Sequence, residues 1–201
     1  MITIWGRLNS HNVKKIAWAA IAMGLPHRRI DMGGAFGFTP EYLALNPNRM
    51  IPTIEDGPLV LWESNAILRY LADAYAPEFR SDDLAERAQG DKWMDWQFHF
   101  ADAQRDAFLG CVRQGKDCSD PAVAASAEAS SAMMALLNAE LARRPWLSGQ
   151  HFGIADIPMG VYAHTFYALP ISRPDLPHLA AWCARLQHQP GYAETVMIPL
   201  T

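Results

Sequence analysis

The stretch NPNRMIPTIEDGPLVLWESNAILRYLADAY, Asn46 to Tyr75, decides the reading of this 201-residue chain. It reads as strand, turn, strand, helix. Met50 to Ile54 is a short apolar strand interrupted by Pro52, Glu55-Asp56-Gly57-Pro58 carries turn chemistry, and Leu59 to Trp62 is a second strand at hairpin spacing. Ser64 is placed to cap a helix in which Ala66, Ile67, Tyr70, Leu71, Ala74 and Tyr75 recur at helical spacing and predict one buried stripe. Proline donates no hydrogen bond, so Pro52 marks a sheet edge or a strand start and suits a cis bond after Ile51. Main-chain groups of Ile51 left out of the sheet can pair with an extended peptide by strand addition. Glu63-Ser64 stands at the start of the helix. Exposed N–H groups, the helix dipole and a serine hydroxyl there suit a carboxylate, while Glu63 can hold an ammonium group. One peptide-like ligand with an amino-acid head satisfies both places.

Composition narrows the partners. Half of the residues are hydrophobic, enough for one large or two small cores. A net charge of −4 with no basic run argues against a nucleic-acid surface or an anionic membrane, since both need a clustered positive field. The N-terminus enters an alternating strand, Ile2-Thr3-Ile4, rather than a leader, and no apolar stretch is long enough to span a bilayer, so the cytoplasm is the expected compartment. Cys111, Cys118 and Cys183 show no CxxC or Cys/His spacing. They read as packed or inert thiols in a reducing compartment, and no metal is expected.

Taken in order, the first strand turns at Gly6 to Asn9 into a helix with Val13, Ile16, Ala17, Ala20 and Ile21 on one face, ended by Gly24. Pro26 to Met32 is a second strand, Gly33 to Gly37 a loop, and Pro40 to Leu45 a short helix. With the later hairpin and its helix the order is βαβ then ββα, that of a thioredoxin-like domain. Around Ala76 to Asp83 the composition turns to Pro, Ser and acid, a linker. Leu84 to Leu109, Ala122 to Arg143 and Asp175 to His188 predict helices beyond it. Gly153 sits where an N-cap belongs, with Asp156 at N3 and Phe152 placed to staple to Ile157. The fold class is therefore α/β plus all-α: a thioredoxin-like domain over residues 1–77, a linker over 78–84 and an all-helical domain over 85–201.

The Asn46 to Tyr75 stretch, with its Asn-Pro lead-in, Ile-Pro strand start, acidic-Gly turn, Glu-Ser pair and Ala-Ile-x-x-Tyr-Leu helix, resembles the glutathione-site signature of cytosolic glutathione transferases of theta-like or bacterial type. The Gly153 to Asp156 box and the run from Leu176 to Trp182 resemble the helical domain of the same family. The resemblance implies glutathione as co-substrate, a homodimer, and thiolate attack on a small apolar electrophile. Two alternatives stay open: a glutathione-dependent disulfide reductase or peroxidase, and a non-catalytic ligand-binding protein of the same fold.

The resemblance also assigns roles. Ser10 falls where such enzymes place a hydroxyl that donates to the thiolate, although serine also caps helices commonly. Asn12 is the rival donor at the same helix start, or a solvated first-turn residue. Ile51, with Pro52 in cis, is expected to offer its main chain to the cysteinyl part of glutathione, and Glu63 and Ser64 to bind the γ-glutamyl head. Arg49 stands where related sequences carry a small residue, often glycine. Trp93, Trp96 and Phe100 form a helical aromatic stripe, which reads as core or interface.

Overall fold

The computed structural model describes the whole chain, Met1 to Thr201. Two compact units divide it: residues 1–80 with 189–198, and residues 81–188 with 199–201.

The first unit carries strands β1 (Ile2–Trp5), β2 (His27–Ile30), β3 (Thr53–Asp56) and β4 (Leu59–Trp62), and helices α1 (His11–Ala22), α2 (Pro40–Leu45) and α3 (Ser64–Tyr75). Sheet order is β2-β1-β3-β4. β1 runs parallel to β2 and antiparallel to β3, and β3 is antiparallel to β4, which is the thioredoxin-like arrangement. Ile4 and Ile54 pair across the centre and are fully buried. Gly24 ends α1 at φ 66°, a conformation that costs glycine nothing.

Four local expectations are corrected. Met50 and Ile51 are not strand: β3 begins at Thr53, because Pro52 supplies no ladder donor, and it continues through Glu55 and Asp56. The turn is thereby reduced to Gly57-Pro58, with Asp56 opposite Leu59 and Gly57 at φ 58°, the glycine-first form of a two-residue hairpin loop. β3 lies between β1 and β4, so Pro52 marks a strand start and not a sheet edge; the Ile51-Pro52 bond is cis. The second strand is shorter than Pro26 to Met32, although Met32 is still buried. The buried face of α3 is Ile67, Leu68, Leu71 and Ala72 rather than the stripe through Tyr70 and Tyr75. Both tyrosine hydroxyls donate to Asp56 Oδ2, which keeps their rings at the rim.

Residues 189–198 carry the short helix α8 (Tyr192–Thr195) and pack on α1. Tyr192 meets Trp18 edge-on at 4.8 Å, and Lys14 Nζ donates to the Val196 carbonyl at 2.9 Å. Burial pulls the Lys14 ammonium down to about 8.

The second unit is helical: α4 (Leu84–Phe108), α5 (Pro121–Leu141), α6 (Asp156–Ala168) and α7 (Pro177–Leu186). Asp83 caps α4 through Ala85 N and Glu86 N at 2.7 and 2.9 Å. The expected box at Gly153 exists, with Gly153 N donating to Asp156 Oδ2 at 3.2 Å. Asp156 does more than cap. It is fully buried and also accepts from Leu147 N, Ser148 N and Trp182 Nε1, tying the loop before α6 to α7. No helix is long and apolar enough to cross a membrane.

Candidate functional site

The loop from Asn46 to Pro52 is held by polar side chains that grip its main chain. Asn46 is 1% exposed; its Nδ2 donates to the Met50 carbonyl at 3.1 Å and to Thr53 Oγ1 at 3.0 Å, while its Oδ1 accepts from Asn48 N at 3.1 Å. The Tyr42 hydroxyl reaches the same carbonyl and lies 2.8 Å from Thr53 Oγ1. Sequence reading missed Tyr42, which looks like an ordinary amphipathic-helix aromatic. The result is a fixed loop that delivers Ile51 to the surface with its main chain outside the β3 ladder, which starts two residues later.

Beside that loop lies a narrow recess of about 40 Å³, walled by Asn12, Asn46, Asn48, Met50, Ile51, Pro52, Trp62, Glu63 and Ser64. Five of the six residues singled out in the sequence thus meet in one place. Ser10 does not line the wall. It stands at the N-cap of α1, but its hydroxyl makes no capping bond; its carbonyl accepts from Lys14 N at 2.9 Å and its N–H donates to the Arg7 carbonyl at 3.2 Å.

β4 passes into α3 with no loop between them. Glu63 is the N-cap, at φ 72° and ψ 108°, and Ser64 is the first helical residue rather than the cap. A non-glycine residue at positive φ stores of order 1–3 kcal/mol, and such outliers cluster where ligands are clamped. The Glu63 side chain makes no capping bond and is exposed, whereas Ser64 is buried beneath the recess. The Ser64 hydroxyl donates to Asn12 Oδ1 at 3.3 Å, joining the starts of two helices.

Behind Ser64 stands a residue that sequence reading passed over. Lys15 is fully buried; its Nζ donates to Ser64 Oγ at 3.2 Å and to Asn65 Oδ1 at 3.5 Å. Burial pulls the ammonium down to about 7, against the attraction of Glu63, which raises it. A Lys14-Lys15 doublet reads as a solvent face. The signal that was present is the helix as a whole: HNVKKIAWAAIA is apolar nearly all round, so it is enclosed and its lysines with it.

Comparison with known proteins gives the same region. The family model described as glutathione S-transferase, N-terminal domain, matches residues 9–74, and its C-terminal counterpart matches residues 120–185. Glutathione S-transferase GstB of Escherichia coli is 38% identical over 208 residues, covering all of both chains. The chain belongs to the glutathione S-transferase family. The structure of a theta class glutathione S-transferase from Xanthomonas axonopodis pv. citri with glutathione bound superposes on this transferase with a TM-score of 0.93 at 50% identity, covering 100% of this chain and 99% of that one. Disulfide-bond oxidoreductase YfcG of Escherichia coli is 28% identical over 84% of this chain and 81% of its own. All nine residues of the recess fall inside the span matched by the N-terminal family model.

A second, larger cavity of about 430 Å³ lies in the helical unit of the transferase, lined by Lys92, Trp93, Trp96, Leu136, Ala139, Glu140 and Arg143. It lies along α4 and α5 and takes in part of the aromatic stripe. Trp93 and Trp96 meet edge-on at 5.1 Å, and Trp96 stacks on the buried Phe100 at 6.2 Å. The stripe is core at Phe100 and open at Trp96.

Proposed function

We propose that the chain is a glutathione transferase that binds glutathione over the recess and attaches its thiolate to a small apolar electrophile. The observation that supports this most directly is one wall holding an exposed carboxylate (Glu63), a hydroxyl at a helix N-terminus (Ser64), and a main-chain segment outside the sheet (Ile51). These suit, in turn, the ammonium and the carboxylate of a γ-glutamyl head and the amide groups of a cysteinyl residue. Pro52 fixes the direction in which Ile51 presents those groups. Asn12 is the thiolate donor in the wall of the recess, and the Ser10 hydroxyl, unused by the helix, is a second donor beside it. The protein's contribution is binding, orientation and thiolate stabilisation. Glutathione is the co-substrate, the location cytoplasmic and the assembly a homodimer, in which the aromatic and aliphatic groove along α4 and α5 is the apolar surface available to a second copy.

A disulfide-directed reaction is the second reading. It is favoured by the similarity to a protein named a disulfide-bond oxidoreductase, and by an amide donor, Asn12, at the helix start. One assay separates the readings: purified protein with glutathione and, in parallel, a chlorinated aromatic, an organic hydroperoxide and a mixed disulfide. Turnover of the chlorinated aromatic supports transfer, and turnover of the disulfide alone replaces it by the second reading. Binding can be tested apart from turnover. Loss of a charge-assisted bond worth about 1.5–3 kcal/mol should weaken glutathione binding at least tenfold in Glu63→Ala, and unchanged affinity by calorimetry removes the γ-glutamyl assignment.

A further inference from the structure

Cys111 and Cys118 carry no redox spacing in the sequence, yet the fold brings their side chains together. Beyond Phe108, α4 runs into one π-helical turn, Leu109–Arg113, that carries Cys111. The chain then doubles back. Gln114 N donates to the Leu109 carbonyl at 3.1 Å, Gly115 takes φ 62°, and Lys116 N donates to the Gly110 carbonyl at 2.9 Å. Asp117 continues the turn by accepting from Ser119 N at 2.8 Å, and Lys116 pairs at 3.1 Å with Asp120, the N-cap of α5. These bonds make one tight corner with Cys111 on its first limb and Cys118 on its second. The two thiols are in hydrogen-bond contact, and Cys118 Sγ donates onward to the Pro170 carbonyl, in the irregular segment between α6 and α7.

Both cysteines are half-buried at a corner whose other residues are largely exposed, so a small disulfide reaches them; Cys183, on α7, is buried. Burial first, then the neighbouring Cys118 sulfur and Asp117, push the Cys111 thiol up. Cys111 therefore holds its proton, and the first attack on an oxidant falls to Cys118. A disulfide sets its sulfurs about 2 Å apart, so two thiols already in contact have little distance to close.

We propose that Cys111 and Cys118 form a reversible dithiol–disulfide pair that glutathione disulfide oxidises. The Cys118 thiolate attacks one sulfur of glutathione disulfide, whose S–S bond breaks and releases one glutathione thiolate. The Cys111 thiolate then attacks the Cys118 sulfur of the mixed disulfide and displaces the second. Two protein thiols are oxidised, one glutathione disulfide is reduced to two glutathiones, and the two thiol protons pass through solvent to the departing thiolates. The same reaction removes the S–H that ties Cys118 to the Pro170 carbonyl, so oxidation at the corner between α4 and α5 releases the segment before α7. Arg173 still holds that segment at the Phe166 and Leu169 carbonyls, which keeps the release local. In a reducing pool the pair stays open, and excess glutathione reverses the oxidation. Neither cysteine lines the recess, so the exchange is independent of how that site is read.

The test is incubation of the reduced full chain with glutathione disulfide, followed by acid quench and intact-mass and peptide mass spectrometry. The native protein should become two hydrogens lighter and yield a Cys111–Cys118 cross-linked peptide that dithiothreitol reverses, while Cys183 stays unreactive until the chain is unfolded. Cys111→Ser should stop at a glutathione adduct on Cys118, and Cys118→Ser should give no cross-link. Amide hydrogen exchange over residues 171–175 should be faster by about threefold or more in the oxidised native protein, and equally so in reduced Cys118→Ala. Absence of the cross-link, or a lasting glutathione adduct on the native protein in its place, overturns the pair. A cross-link with unchanged exchange over 171–175 overturns the release of the segment.

Discussion

The Ser64 hydroxyl donates to Asn12 Oδ1 at 3.3 Å, and this one bond decides which way the asparagine amide points. With its oxygen committed to Ser64, the Asn12 side chain has its two N–H donors left for the recess that it lines. Two helix N-termini, those of α1 and α3, are thereby coupled at the place where a thiol and an amino-acid head would have to be held at once.

Activation of the thiol should follow that geometry. A free thiol titrates near 8.5, and ionising it largely at neutral pH needs roughly two units, about 2.7 kcal/mol. A hydrogen bond to an anion supplies about 1.5–3 kcal/mol and a helix N-terminus about 0.5–1. Asn12→Ala should therefore raise the titration midpoint of bound glutathione by about one unit or more, and Ser10→Ala by clearly less, as followed by thiolate absorbance. The reverse order of effects returns the principal role to the Ser10 hydroxyl.

Arg49 is at φ 58°, in the left-handed region that a side chain enters at a cost of roughly 1–2 kcal/mol. Glycine there removes the strain but adds chain entropy to the unfolded state, about 0.5–1 kcal/mol. Arg49→Gly should stabilise the protein by about 0.5–1 kcal/mol in urea unfolding. Glutathione affinity should stay within twofold, because Arg49 is not in the wall of the recess. A loss of affinity would mean that the guanidinium reaches the glycyl carboxylate.

The helical unit depends on a single carboxylate. Asp156 accepts from Leu147 N at 2.8 Å, Trp182 Nε1 at 2.9 Å, and Ser148 N and Gly153 N at 3.2 Å each. Burial pushes its carboxyl up, against these donors, which hold it down. In Asp156→Asn one acceptor oxygen becomes an NH2 that faces N–H groups, leaving at least one buried donor unpaired at about 1–3 kcal/mol and weakening the remaining bonds. The expected loss is about 2–4 kcal/mol in denaturant unfolding, with glutathione affinity nearly unchanged in the folded fraction. A loss under 1 kcal/mol would show that the loop re-pairs its donors with water.

The strand-turn-helix at Thr53 to Tyr75 was legible because its signals are local: a proline that cannot donate, a glycine-proline turn, and a 3.6-residue period. The same locality made Ile51, Pro52, Glu63 and Ser64 readable, since they lie within fourteen consecutive residues. What misled was also local. Tyr70 and Tyr75 were counted as apolar, and their hydroxyls instead chose Asp56, rotating the buried face of α3. Burial of Lys14 and Lys15 was illegible because it comes from distant segments: the partner of Lys14 is 182 residues away, on a C-terminal stretch that returns to α1. A reading that ends one domain at residue 77 cannot contain that contact.

Buried Lys15 also leaves a trace in folding stability that does not depend on any ligand. Its pKa falls from an ordinary 10.5 to about 7 in the folded chain. Between these values the unfolded state binds the proton and the folded state does not, so stability rises with pH at up to about 1.4 kcal/mol per unit for this one group. Below pH 7 both states are protonated and the slope vanishes; above 10.5 neither is, and it vanishes again. Lys14 titrates in the same window, near 8, and so would confound the native protein taken alone. The informative quantity is the difference between the native protein and Lys15→Met, in which Lys14 cancels. From pH 7 to 9.5 that difference should move in favour of the native protein by about 1 kcal/mol per pH unit in urea unfolding, and from pH 5.5 to 6.5 it should stay flat. A difference that is constant across both windows would mean that Lys15 keeps its proton in the folded protein, held by its bonds to Ser64 and Asn65 against the cost of burial.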